Sequence, residues 1–184
     1  MTEASEQFGF FKEIASRLDA AGIRYMLTGS MAMSMYATPR MTRDIDLVIE
    51  CEVEDSEKIT ELFEADCYVD HDEVRNAIGG ESLFNIINNA LLIKADFIVR
   101  KDEEYRRVEF ERRREFHIET AKVYVTAPED LILSKLRWSK DSSSELQYGD
   151  VKAILKSGLD LDWPYMDKWA RTLGLDDLLS QAQK

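Results

Sequence analysis

The feature that most limits how this chain can fold is a pair of short patterns. Leu27-Thr28-Gly29-Ser30 is followed, fourteen residues after the serine, by Asp44-Ile45-Asp46. Residues 44–50 alternate strictly: Ile45, Leu47 and Ile49 on one side, Asp44, Asp46, Val48 and Glu50 on the other. That is the period of a strand with one buried face. Ile23 to Thr28 reads as a preceding strand, Gly29-Ser30 as a sharp turn, and Met31 to Tyr36 as a short apolar helix. Two strands joined through a glycine turn and a helix, the second presenting two carboxylates to one face, fit few architectures.

The rest of the chain builds around this unit. Phe8, Phe11, Ile14, Ala15, Leu18 and Ala21 recur at helical spacing before Gly22, which marks a first amphipathic helix and its stop. Ser56 is placed to cap a helix carrying Ile59, Leu62 and Phe63, and Asp72 to cap a short helix before Gly79-Gly80. Phe84 to Ile87 and Leu91 to Val99 flank Asn88-Asn89 as a hairpin would. Cys67 to Val69 is a weak strand, Tyr105 to Glu111 is helix or extended, and residues 116–118 and 122–125 form another strand pair. Thr126-Ala127-Pro128-Glu129 has the form of a capping box, and the chain is helical from there on, with Ser144-x-x-Gln147 a second box. Gly158 and Gly174 are helix stops. The expected class is α/β (α+β), with a mixed central sheet flanked by helices over residues 1–125 and a helical C-terminal region over 126–184.

Charge and composition narrow the partners. The 184 residues carry a net charge of −12, so no basic footprint for extended duplex DNA is present. No apolar run approaches the roughly 20 residues that span a bilayer. The N-terminus is acidic where a signal peptide would be basic, and Cys51 and Cys67 fit no metal or redox spacing. These features lead to the expectation of a soluble, cytoplasmic protein.

Asp44 and Asp46, two apart on a strand, project together from backbone positions roughly 6.5–7 Å apart. Such a pair repels itself and suits hard divalent ions such as Mg²⁺, two of which clamp the oxygens of a phosphoryl displacement. Gly29 lets backbone approach a phosphate, and Ser30 offers a hydroxyl and an N–H at a helix start. Taken singly, each motif also fits an ordinary wet strand or helix start. No Walker phosphate loop, Gly-x-Ser-x-Gly or His-Glu-x-x-His is present.

Taken together, these residues resemble the polymerase-β-like nucleotidyltransferase superfamily, whose signature is Gly-Ser, a spacer of this size and Asp-x-Asp on a strand. Pro39-Arg40-x-Thr42-x-Asp44-Ile45-Asp46-Leu47, with the later Pro128-Glu129-Asp130-Leu131-Ile132-Leu133-x-Lys135-Leu136, looks like the AbiEii-type branch of toxins from abortive-infection and toxin–antitoxin systems. Toxin-type relatives often carry Lys-Asp where this chain has Leu146-Gln147. The resemblance implies a nucleotidyltransferase fold and transfer of a nucleoside monophosphate from an NTP to a hydroxyl of an RNA, protein or small-molecule acceptor. It implies two Mg²⁺ ions (or Mn²⁺) on Asp44, Asp46 and a third carboxylate from a later strand, for which Asp96 is the candidate and also the general base. Gly29, Ser30, Arg40, Arg43 and Lys135 would contact the nucleotide, and an antitoxin protein would be a partner. The competing reading is a protein of this fold that has lost catalysis and serves as a binding or regulatory partner.

Several residues keep a plainer alternative. Lys135 is equally a surface lysine, and Arg43 equally half of a salt bridge. Arg106, Arg107 and Arg112 to Arg114, interleaved with Glu109, Glu111 and Glu115, read as a solvated ionic face. Gln147 is explained by capping and Asp150 by a polar helix face. Trp138, Trp163 and Trp169 read as core anchors or an interface.

Overall fold

Helix α1 (Glu3–Ala20) turns Phe10, Phe11, Ile14, Ala15 and Leu18 inward until they are essentially buried, and Gly22 in the left-handed conformation ends it. The computed structural model describes residues 3–38, 42, 44–142 and 144–184. Strand β1 (Arg24–Thr28) leads into the short helix α2 (Gly29–Met33), and β2 (Ile45–Glu50) follows. A 3-10 turn (Val53–Asp55), α3 (Ser56–Phe63), β3 (Cys67–Tyr68) and α4 (His71–Gly79) come next, then β4 (Leu83–Asn88) and β5 (Lys94–Val99). Helix α5 (Glu104–Glu111), β6 (Arg114–Ile118) and β7 (Ala121–Val125) complete the sheet-forming part. Helices α6 (Pro128–Ser142), α7 (Glu145–Leu155), α8 (Trp163–Leu173) and α9 (Asp176–Ala182) make up the remainder.

The seven strands form one mixed sheet in the order β3-β4-β5-β2-β1-β7-β6. The β2–β5 and β1–β7 pairs are parallel, and the other four are antiparallel. Alternation holds throughout the centre: Ile45, Leu47 and Ile49 on β2, and Ala95, Phe97 and Val99 on β5, are buried, while the residues between them are partly open. On the closed face Phe97 stacks on Phe84 and meets Phe63 edge-on, each such side chain contributing about 1.5–3 kcal/mol by burial. All seven strands precede residue 126, and Leu131, Leu136, Val151, Met166 and Trp169 of the C-terminal helices belong to the same buried cluster as the sheet residues.

Local details differ from the sequence reading in four places. The α4 cap is Asp70, two residues ahead of Asp72; its carboxylate accepts from the Glu73 N–H at 2.9 Å. Ser56 is the first residue of α3, because the N-cap position is taken by Asp55, the last residue of the 3-10 turn that Glu52 and Asp55 cap. The β4–β5 connection is longer than Asn88-Asn89: the Asn88 side chain accepts from the Ala90 and Leu91 N–H groups, and β5 begins only at Lys94. Thr126 makes no capping box; its hydroxyl and N–H both donate to the Leu27 carbonyl, tying the end of β7 to β1. The Ser144 cap is present, accepting from the Gln147 N–H at 3.4 Å, and the 105–111 segment is a helix.

Candidate active site

Strand register builds the site. Thr28 on β1 stands opposite Asp46 on β2, Asp46 opposite Asp96 on β5, and Asp96 opposite Asn85 on β4. Residues directly opposite share a face, so the two aspartates lie side by side on adjacent central strands, with backbones about 4.8 Å apart. This is the half-open face, the one that α1, α3 and α4 leave to a cleft. Asp44, just before β2, joins them at its edge.

Gly29 is required here for two reasons. Its φ of +66° lies in the left-handed region, and a Cβ built on it would sit 2.0 Å from the Asp46 Oδ2. The turn therefore presses its bare backbone against the carboxylate. Burial pushes the Asp46 carboxyl up to about 6, with the neighbouring Asp96 and Asp44 charges adding to the effect and Lys135 and Lys94 opposing it. Asp96 has only 19% of its side chain exposed; its Oδ2 accepts from Lys94 Nζ at 2.8 Å, while its Oδ1 is buried without a hydrogen-bond partner. Lys94 also lies 3.8 Å from Asp44 Oδ1.

The cleft over these carboxylates has a volume of about 790 Å³. Thr28, Gly29, Ser30, Asp44, Asp46 and Asp96 line its acidic end, and Leu131, Ser134, Lys135 and Trp138 of α6 with Leu146 and Gln147 of α7 form the opposite wall. Arg100, Lys101, Arg106 and Arg137 line the rest. Of the expected site residues, the structure thus gathers Gly29, Ser30, Asp44, Asp46, Asp96 and Lys135 around one cavity. Arg40 and Arg43 lie outside the described residues.

Lys135 is no surface lysine, and it does line the cleft. It is buried, and its ammonium is held by Asp150 Oδ2 at 2.7 Å and Gln147 Oε1 at 2.9 Å. Asp150 is accordingly no polar helix face, and Gln147, whose N–H Ser144 caps, turns its side chain to the same lysine in the cleft wall. The arginine cluster is also corrected. Arg112 reaches Asp130 at 3.0 Å and Glu129 at 3.3 Å, Arg114 reaches Glu129 at 3.2 Å, and Arg106 reaches Glu109 at 2.6 Å. Glu109, Glu129 and Asp130 are buried, so Arg106, Arg112 and Arg114 belong to an ionic joint across α5, β6 and α6, while Arg107, Glu111 and Glu115 stay on an exposed ionic face as expected. Trp169 is a core anchor as expected, whereas Trp138 is 58% exposed on the cleft wall. Lys94 escaped notice as a site residue, although its i, i+2 spacing to Asp96 was signal enough.

A divalent ion fits this donor set. The carboxylates are hard oxygen ligands, one buried oxygen lacks a partner, and Asp46 is held back from ionising by burial and then by its acidic neighbours. Among the described residues, no three His, Cys, Asp or Glu side chains are drawn together closely enough to cage an ion as they stand. Lys94 occupies part of the space between them.

Comparison with known proteins identifies the family and the fold. A family model described as nucleotidyl transferase AbiEii toxin, type IV TA system, matches residues 15–174. None of the curated proteins matches the chain. Among solved structures, an antigenic nucleotidyltransferase-like protein from Paracoccidioides brasiliensis is similar over 97% of this chain and 93% of its own, at 16% identity and a TM-score of 0.61. A putative nucleotidyltransferase from Thermotoga maritima aligns over 77% of this chain and 89% of its own, at 17% identity and a TM-score of 0.54. A lincosamide antibiotic adenylyltransferase solved with lincomycin aligns over 83% and 96%, at 12% identity and a TM-score of 0.54. At these identities the structural likeness concerns the fold.

Proposed function

Because the chain belongs to the AbiEii nucleotidyltransferase toxin family, we propose that it transfers a nucleoside monophosphate from an NTP to an acceptor hydroxyl in a Mg²⁺-dependent reaction. The observation that carries this reading is the row formed by Asp46 and Asp96 against the Gly29 turn, with an unpartnered buried oxygen on Asp96. Asp44, Asp46 and Asp96 would hold Mg²⁺ (or Mn²⁺). Divalent ions in such a site neutralise the triphosphate and clamp the attacking and leaving oxygens.

The chain's own groups divide the remaining work. Asp96 accepts the proton of the acceptor hydroxyl as the new P–O bond forms and the bond to pyrophosphate breaks. Gly29 keeps the turn thin enough for phosphate to approach, and Ser30 contributes its hydroxyl at the edge of the cleft. Lys135, immobilised by Asp150 and Gln147, sets a fixed positive charge in the wall across from the carboxylates, where it needs no reorganisation to stabilise developing charge. Arg40 and Arg43 are proposed as further phosphate contacts. The acceptor class is an RNA, a protein or a small molecule, and an antitoxin protein is the expected partner if the chain acts as a toxin. Among the described residues no helix is long and apolar enough to cross a membrane, and we place the activity in the cytoplasm.

Calorimetry with each NTP, with and without Mg²⁺, tests this reading. Wild type should bind at least one NTP only with the metal, and Asp44→Asn should lose that binding. Absence of metal-dependent binding in wild type would refute it. Incubation with labelled NTPs and total cellular RNA or protein then identifies the acceptor by where the label is found.

A further inference from the structure

We propose that Lys94 is a built-in counter-ion that competes with divalent metal for Asp96 and Asp44, and so makes metal binding by this protein depend on the nucleotide. The inference rests on the metal-binding reading above and concerns a residue to which that reading gives no role. Its basis is geometric. Lys94 opens β5, two residues before Asp96 and on the same face. Extending the β2–β5 register one position back from Ile45–Ala95 sets Lys94 beside Asp44. Its ammonium accordingly lies 2.8 Å from Asp96 Oδ2 and 3.8 Å from Asp44 Oδ1, in contact with two of the three proposed metal ligands.

The consequences follow from charge. Three carboxylates against one ammonium leave two negative charges, which a single divalent ion balances. A metal entering without nucleotide must either displace Lys94 from Asp96 or bind beside a positive charge, and both weaken its affinity. Lys135 also acts on Asp46 through its charge, but it is held in the cleft wall by Asp150 Oδ2 at 2.7 Å and Gln147 Oε1 at 2.9 Å. The Lys94 side chain is 41% exposed, against 19% for Asp96, so it has room to swing into solvent when displaced. An arriving triphosphate brings further negative charge and oxygen ligands, which offset the repulsion. By linkage, metal and nucleotide each strengthen binding of the other.

The test measures free Mn²⁺ by its electron paramagnetic resonance signal during titration of the full chain, with and without a non-hydrolysable NTP. Wild type, Lys94→Met, Lys94→Gln and Lys94→Arg are compared, each checked for folding by circular dichroism. Without nucleotide, Lys94→Met and Lys94→Gln should bind Mn²⁺ at least about tenfold more tightly than wild type, and their gain from added nucleotide should shrink. Lys94→Arg, which keeps the charge, should behave as wild type. If wild type binds Mn²⁺ and the neutral variants bind it equally or more weakly, Lys94 is no competitor and this inference alone falls. If wild type binds no Mn²⁺ even with nucleotide, the inference falls together with the proposed function. The two neutral side chains differ in polarity, so a defect of folding in one leaves the other to decide.

Discussion

Two buried acidic centres in this molecule invite comparison. At the ionic joint, Glu129 and Asp130 at the start of α6 are almost wholly buried, yet they meet Arg112, Arg114, Tyr105 and Tyr165. Burial pushes Asp130 up to about 6, with the Glu109 charge adding to it, while hydrogen bonds from the Tyr165 hydroxyl and Arg112 pull it back. At the cleft, burial also pushes Asp46 up to about 6, but there its nearest acidic neighbours add to the rise and Asp96 retains an unpartnered oxygen. One centre is closed by the fold and holds helices to the sheet. The other is left open to the cleft, with Lys94 against two of its carboxylates. A similar upward shift therefore marks a structural joint in one place and a candidate reaction site in the other, and the partners tell them apart.

Mutation should separate the two sharply. Asp130→Ala leaves Arg112 with Glu129 alone and takes the carboxylate partner from the Tyr105 and Tyr165 hydroxyls, so unfolding by denaturant should show a loss of about 1–3 kcal/mol, while the Mg²⁺·NTP affinity of the remaining folded protein is little changed. A loss under about 1 kcal/mol would mean that the joint is merely a surface pairing. Gly29→Ala is next. It forces a Cβ into the Asp46 carboxylate and a left-handed φ onto alanine, so it should cost about 1–3 kcal/mol and also abolish metal-dependent nucleotide binding. Retention of that binding would show that the turn need not press on Asp46.

Asp46→Asn should act in the opposite direction. A carboxyl whose folded-state value is raised contributes stability that is present below its unfolded value near 3.8 and is lost as pH rises through about 6. Metal-free wild type should therefore lose on the order of 2 kcal/mol from this group between pH 4 and pH 7, and Asp46→Asn should lack that component and be the more stable protein at pH 7.5. Denaturant midpoints across that range check the sign; a destabilised Asn variant at pH 7.5 would show that Asp46 is paired within the fold after all. Least affected should be Trp138→Ala. Its side chain is 58% exposed, so stability should change by no more than about 0.5 kcal/mol, and any larger effect should appear in ligand binding.

The same contrast explains what the sequence made legible. The acidic end of the cleft could be read because it is written in strand alternation: period two assigns Asp44, Asp46 and Asp96 to one face and Ile45, Leu47, Ala95 and Phe97 to the other. Gly29 could be read because its chemistry is local. The ionic joint could not, since arginines interleaved with glutamates look the same whether they face water or cross to another element. Glu129, in the first turn of α6, had a sufficient local explanation in helix capping that masked its partners Arg112 and Arg114. Lys135 and Asp150 were hidden similarly: they sit on separate helices, fifteen residues apart, and no spacing rule joins them. Trp138 was misplaced because a tryptophan at helical spacing gives the same signal whether it packs inward or lines a cleft.

The central claim is that Asp44, Asp46 and Asp96 form an open, cation-requiring site that handles an NTP. Crystals grown with Mn²⁺ and a non-hydrolysable NTP test it most directly, because anomalous scattering locates the metal independently of any assay. The account predicts a Mn²⁺ peak within coordination distance of the Asp46 and Asp96 carboxylates, with the triphosphate beside Gly29 and Ser30. A nucleotide bound with no metal at those carboxylates, or a metal bound elsewhere in the cleft, would contradict it.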